Sequence, residues 1–106
     1  MPGVLLQRLE CQETEDSTGA DEAYLNYDDE RVFGPVSIND GQAVTVGVFR
    51  ALVGRARVEL FDADPPDKDD SLGSIVISER EKGLGLRSRD FTGDGARYTL
   101  FYEVFP

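Results

Sequence analysis

The sequence predicts an all-β fold: a two-sheet antiparallel β-sandwich of seven or eight strands. Three observations carry this. Apolar residues alternate over short runs, and Gly, Pro, Asn and Asp clusters separate those runs at a spacing of about 10 residues. No stretch of ten residues has the 3.6-residue periodicity of an amphipathic helix. The runs are apolar on one face only, as expected of strands that each bury a single side.

The elements follow in order. Val4 to Cys11 is the first strand, with Leu5, Leu9 and Cys11 as inward positions. Ala23 to Tyr27 places Ala23, Leu25 and Tyr27 on one face, opposite Tyr24 and Asn26. Arg31 to Ile38 is interrupted by Gly34-Pro35; a proline has no N–H to donate, so an edge strand or a bulge is expected there. Asn39-Asp40-Gly41 is a turn signal. Ala43 to Arg50 then aligns Val44, Val46 and Val48. Arg55 to Phe61 alternates Ala56, Val58 and Leu60 against Arg55, Arg57 and Glu59. Leu72 to Ser78 carries Ile75-Val76-Ile77. Arg80 to Leu86 is a polar connection in which Glu79 to Lys82 has room for one helical turn before Gly83 and Gly85. Leu86 to Phe91 is a short edge strand. The Gly93-Asp94-Gly95 turn leads into Arg97 to Phe105, where Tyr98, Leu100, Tyr102 and Val104 face one way. The last strand is as apolar as any other, so residues 1–106 are expected to form one domain.

Composition narrows the chemistry. The chain has 106 residues, a formal charge of −10, no histidine and one cysteine. Lack of histidine removes Ser-His and Cys-His nucleophile pairs and any histidine metal site. One cysteine allows neither an internal disulfide nor a thiolate zinc cage. Cys11 reads as a buried apolar side chain, not a reactive thiol. The negative charge argues against nucleic acid, whose phosphates need Lys and Arg. No apolar run is long enough to span a membrane, and the start has neither the basic nor the apolar region of a secretory signal. The expected location is cytoplasmic by default, or extracellular if the chain is cut from a longer one.

The acid is concentrated. Residues 13 to 30 carry eight carboxylates and no Lys or Arg; residues 62 to 70 carry five aspartates against Lys68. The remainder is near neutral. If both windows meet at one end of the sandwich, their repulsion calls for a cation between them. Asp62 and Asp64 lie two apart at the end of a strand, so extended geometry points them the same way. Pro65-Pro66 then turns the chain, and Asp70 returns to meet the pair. A carboxylate cluster of this kind favours calcium, which takes about 6–8 oxygens in irregular geometry, over the stricter octahedron of magnesium. The plain alternative is a solvated acidic loop, because Asp and Pro are common turn formers.

Asp62-x-Asp64-x5-Asp70 followed by Leu72-Gly73 resembles the third calcium loop of a C2 domain, and Ala56 to Phe61 resembles the strand that enters it. Asp21-Glu22-Ala23-Tyr24-Leu25 is similar to the aspartate that closes the first calcium loop and opens the second strand, although that family usually has proline where Glu22 stands. The resemblance implies a C2-like sandwich holding one or two Ca2+ ions. It implies the ligands Asp62, Asp64 and Asp70, then Asp21, and Asp16 or else Glu15. Asp67 and Asp69 are not matched by the motif and are read as outer or alternative ligands.

Three functional readings follow. The favoured one is a non-enzymatic module in which calcium stabilises the fold or orders loops for a protein or glycan partner. The second is a calcium-dependent phospholipid-binding module. The loop tips Ser17-Thr18-Gly19-Ala20 and Pro65-Pro66 offer no aromatic or basic anchor, so membrane contact is not favoured. The third is a metal-free structural domain of a larger assembly. Catalysis by paired carboxylates, as in glycoside hydrolysis, is disfavoured because a small sandwich leaves little room for a deep cleft. Arg50, Arg55, Arg57 and Arg97 are expected in interstrand ion pairs, and Phe33, Phe49 and Phe105 in the core or on sheet faces.

Overall fold

A computed structural model describes residues 1–15 and 19–106. It contains eight strands: β1 (Gly3–Glu13), β2 (Asp21–Tyr27), β3 (Glu30–Ile38), β4 (Ala43–Ala51), β5 (Arg55–Asp62), β6 (Asp70–Ser78), β7 (Leu86–Phe91) and β8 (Arg97–Phe105). They form two four-stranded antiparallel sheets, ordered β4-β1-β8-β7 and β3-β2-β5-β6. The expected all-β sandwich is therefore present, with eight strands. A 3-10 turn at Glu79–Glu81 occupies the polar connection; Ser78 caps it by accepting from Arg80 N, and Glu81 reaches back to Ser78 N at 2.8 Å.

The core is the set of inward side chains from both sheets. Ala56, Val58 and Leu60 meet Tyr98, Leu100, Tyr102 and Val104, and all are buried, as alternation requires. The first strand departs from simple alternation. Val4, Leu6, Leu9 and Cys11 are buried, whereas Leu5 is only half-buried, contrary to its expected inward position. The reason is a bulge: Leu6 pairs with Tyr102 and Arg8 with the next residue back, Phe101, so Gln7 is an extra residue and the facing reverses there. Alternation puts Tyr24 on the face away from the core, yet it too is buried. Phe61 stacks on it at 5.1 Å, and the Arg31 guanidinium lies 3.9 Å above its ring.

Gly34 lies on β3, an edge strand, as its neighbouring proline predicts. Its φ is +85°, and a Cβ there would come within 2.4 Å of the Ala23 carbonyl, so only glycine lets the two backbones approach this closely. Phe49 and Phe105 pair on the outer sheet face, with ring centroids 6.3 Å apart. Cys11 is buried, and burial, more than the neighbouring acids, pushes its thiol pKa up.

Register places the loops. Glu13 pairs with Arg97, Asp21 with Ile38, Ala23 with Asp62, Asp62 with Asp70, and Phe91 with Tyr98. The β1–β2, β3–β4, β5–β6 and β7–β8 connections therefore gather at one end of the sandwich. The acidic windows converge there only in part. Asp28, Asp29 and Glu30 belong to the β2–β3 hairpin at the opposite end, because Tyr27 pairs with Glu30 and Val58. There Asp28 accepts the Arg57 N–H at 2.9 Å, and the Arg57 guanidinium sits 3.5 Å from Asp29.

Candidate metal centre

Asp62 is the last residue of β5 and Asp70 the first of β6, and the ladder holds them directly opposite each other. Between them Pro65 has no N–H to continue a ladder, so the strand stops and the chain turns. Glu15 follows the end of β1. Its carboxylate reaches those of Asp62 and Asp70, and one oxygen from each of the three lies within 4.8 Å of the others. Each of the three is half-buried. Asp62 is further fixed by Glu22 N, which donates to its Oδ1 at 2.7 Å.

Asp21 opens β2 beneath this group and is 0% exposed. Its Oδ2 accepts the Tyr98 hydroxyl at 2.5 Å and Glu15 N at 3.1 Å. Its Oδ1 and the Oε2 of Glu15 are buried with no hydrogen-bond partner among the described residues. Buried carboxylate oxygens without partners carry a large desolvation cost, which a cation would offset.

The electrostatics agree with crowding. The Glu15 carboxyl is pushed up to about 8, first by burial, then by its hydrogen bond to Asp70 and that residue's charge, and then by Asp94 in the same two ways. The Asp62 carboxyl is also raised, chiefly by burial; the charges of Asp21 and Asp64 add, while the Glu22 N–H opposes them.

The other expected ligands are placed differently. Asp64 stands outside the Glu15–Asp62–Asp70 group. The two-residue alternation that put it beside Asp62 ends with β5, and its N–H instead donates to Asp69 Oδ1 at 3.2 Å. Asp69 accepts the Tyr24 hydroxyl, and these hydrogen bonds hold its carboxyl low. Asp67 is exposed in the β5–β6 connection. Asp16 lies outside the described residues.

Sequence spacing does not single out Asp94. It sits at the tip of the β7–β8 turn, with φ 55° and ψ 35°, and helps to raise the Glu15 carboxyl, but like Asp64 it stands outside the Glu15–Asp62–Asp70 group. The available signal is the Gly93-Asp94-Gly95 turn itself, since an aspartate in a loop at the acidic end of a sandwich lies within reach of the others. Asp40 has a supporting part: from the β3–β4 turn its Oδ1 accepts Thr14 N at 2.8 Å, which fixes the chain just before Glu15.

This donor set is carboxylate oxygen throughout, the chemistry of a hard divalent cation. Two open depressions, of about 310 Å³ and 280 Å³, lie elsewhere. One is lined by residues that include Arg8, Cys11 and Gln42, the other by residues that include Gln7, Leu86 and Phe101, and neither contains a carboxylate of the group.

No protein-family model matches the chain, and no curated protein matches it. Solved structures do. A C2 domain is similar over 100% of this chain and 99% of its own, at 16% identity and a TM-score of 0.61. Human GIVD cytosolic phospholipase A2, in complex with methyl gamma-linolenyl fluorophosphonate inhibitor and terbium chloride, is similar over 98% of this chain and 17% of its own, at 14% identity and a TM-score of 0.63. A C2 domain of plant extended synaptotagmin 1 is similar over 98% of this chain and 91% of its own, at 13% identity and a TM-score of 0.56. The chain has a C2-like fold.

Proposed function

We propose that this chain is a non-enzymatic calcium-binding module whose acidic end holds Ca2+ with Glu15, Asp62 and Asp70, backed by Asp21. The observation that carries the reading is the meeting of three carboxylates within 4.8 Å around buried oxygens that have no hydrogen-bond partner among the described residues. When bound, the ion supplies positive charge that offsets the repulsion and desolvation of these groups. The chain's own residues do the rest. The β5–β6 ladder sets the spacing of Asp62 and Asp70, and Tyr98 with Glu15 N orients Asp21. A ligand that binds only the folded state raises stability by mass action and tightens the loops that carry it. Those loops are then ordered for a protein or glycan partner.

Thermal melts in chelator, in millimolar calcium and in millimolar magnesium test this. The expected result is a calcium-specific rise in midpoint that disappears in the double variant Asp62→Asn, Asp70→Asn. Equal midpoints in all three conditions would sink the proposal.

Calcium-dependent phospholipid binding is the second reading. It is supported by the likeness to C2 domains, and by the similar phospholipase A2 structure with terbium. The exposed tip of the β5–β6 connection carries Pro65, Pro66 and Lys68, with no exposed aromatic residue. The first reading therefore predicts no calcium-dependent pelleting with phosphatidylserine vesicles; clear pelleting establishes the second.

A further inference from the structure

Four edge strands bound the two sheets: β4 and β7 in one, β3 and β6 in the other. Three are blunted. β3 has Gly34-Pro35 in its middle and Glu30 and Arg31 at its start. β7 has Arg87, Arg89 and Asp90 among its six residues. β6 is tied to β7 and covered: the Arg89 guanidinium donates to the Val76 carbonyl at 2.9 Å, and a Cβ on Gly93 would stand 2.6 Å from the Leu72 carbonyl carbon, so backbone packs on backbone there. β4 differs. Its nine residues, Ala43–Ala51, carry one charge, Arg50, and no proline. Among the described residues, the one side chain of another strand that bonds the β4 backbone is Tyr27, whose hydroxyl donates to Ala51 O at 2.7 Å. The same side of the sandwich leaves core residues in contact with water. Val32 and Phe33 of β3 and Val44 and Val48 of β4 pack on the core yet are only partly buried.

Two features fit this edge to a second copy of the chain. A chain of charge −10 repels its copy, so contact needs a strip free of acid, and β4 has none. The strand is also charge-complementary to itself when antiparallel. Arg50 lies near its end and Asp40 in the turn before its start. A two-fold axis then sets Arg50 of each copy beside the Asn39-Asp40 turn of the other, and sends the acidic ends of the two sandwiches in opposite directions. β4 bulges at Gly47, because Val48 pairs with Leu6 but Thr45 with Arg8, so the straight run open to pairing is Ala43–Val46. We propose that β4 is a self-association edge, through which two copies pair antiparallel at Ala43–Val46 and join their sheets into one of eight strands.

β4 supplies no carboxylate to the Glu15–Asp62–Asp70 group, so the proposal is tested in chelator, by sedimentation equilibrium of the full chain. Raising the concentration from about 1 μM to about 1 mM should move the weight-average mass from 11.7 kDa toward twice that value. Thr45→Lys sets like charges against each other at the centre of the pair and should hold the mass at 11.7 kDa throughout. Ser88→Lys adds the same charge to β7 and should associate as the parent does. Both positions are exposed, and thermal melts check that both variants fold. Arg50→Glu opposes Asp40 and should raise the dimer dissociation constant about tenfold or more. Hydrogen exchange locates the contact: the Ala43–Val46 amides should slow at high concentration and the β7 amides should not. A parent chain that stays at 11.7 kDa overturns the proposal and leaves the edge to an extended segment of another protein. A dimer that survives Thr45→Lys, or unchanged exchange at Ala43–Val46, overturns it as well and directs attention to the exposed Phe49–Phe105 face.

Discussion

Replacing Glu15 by Gln keeps the shape of the side chain and removes its charge, which makes opposite predictions with and without metal. The Glu15 carboxyl is pushed from 4.5 up to about 8 in the folded chain, first by burial and then by Asp70 and Asp94. Below pH 4.5 the group is protonated in both folded and unfolded states and contributes nothing. Between pH 4.5 and 8 the unfolded chain releases this proton and the folded chain keeps it. The folded state then binds more protons, so stability falls as pH rises across that window and levels off above it. A full shift of this size corresponds to about 5 kcal/mol. Solvent contact screens the interaction and reduces this to roughly 2 kcal/mol. For a chain of this length that is roughly 8–10 °C in melting midpoint. In chelator at pH 9, Glu15→Gln should therefore melt higher than the parent by about that amount, and at pH 4.5 the two should coincide. Under the proposed calcium reading the order should reverse in saturating calcium, because Glu15 would then serve as an anionic ligand that Gln cannot replace. Circular dichroism melts over pH 4.5 to 9 read all of this. A flat parent profile, or a variant that melts no higher at pH 9, would refute the argument.

Other outcomes follow from single contacts. Tyr98→Phe removes the hydroxyl that Asp21 accepts at 2.5 Å; the buried carboxylate loses a donor, and urea denaturation in chelator should show a loss of about 1–3 kcal/mol. Gly34→Ala forces a side chain into a φ of +85° and against the Ala23 carbonyl, and should cost about 2 kcal/mol or more by the same measurement. Leu60→Ala empties a fully buried core position and should cost about 2–5 kcal/mol, with no change in calcium specificity.

Much of this arrangement is legible in the amino-acid pattern. Ala56, Val58 and Leu60, and Tyr98, Leu100, Tyr102 and Val104, are apolar at every second position, and a strand with one buried face admits a single orientation. Gly34-Pro35 marks an edge strand because an absent N–H has few other places in a sheet. The departures have physical causes too. Leu5 and Leu6 are both apolar, so composition cannot say which faces inward; the bulge at Gln7 decides, and it leaves no trace in a period-two pattern. The acids of residues 13 to 30 form one window because they are neighbours in sequence, yet β2 is seven residues long and carries Asp28 and Asp29 to the far end. Spacing along one chain segment finds Asp62 and Asp70. Asp94 lies on the β7–β8 turn of the other sheet, where Gly93 packs closely on the Leu72 and Gly73 backbone, a contact that spacing does not reveal.

The pairing of β1 with β8 bears on how the chain reaches this state. The first strand lies between β4 and β8, so one of its two ladders waits for residues 97–105. Tyr98 anchors Asp21 at one end of the sandwich, and Tyr102 donates to Glu81 at 2.5 Å at the other. Until β8 arrives, β1 and β7 lack their shared partner, and the inner face of β5 is open to water. Contacts of such sequence separation close late and slowly. A chain shortened to residue 96 should therefore show no cooperative melt, whereas adding back residues 97–106 as a separate peptide should restore one at high peptide concentration. Assembly is completed by β8, and that strand also holds Asp21 in place.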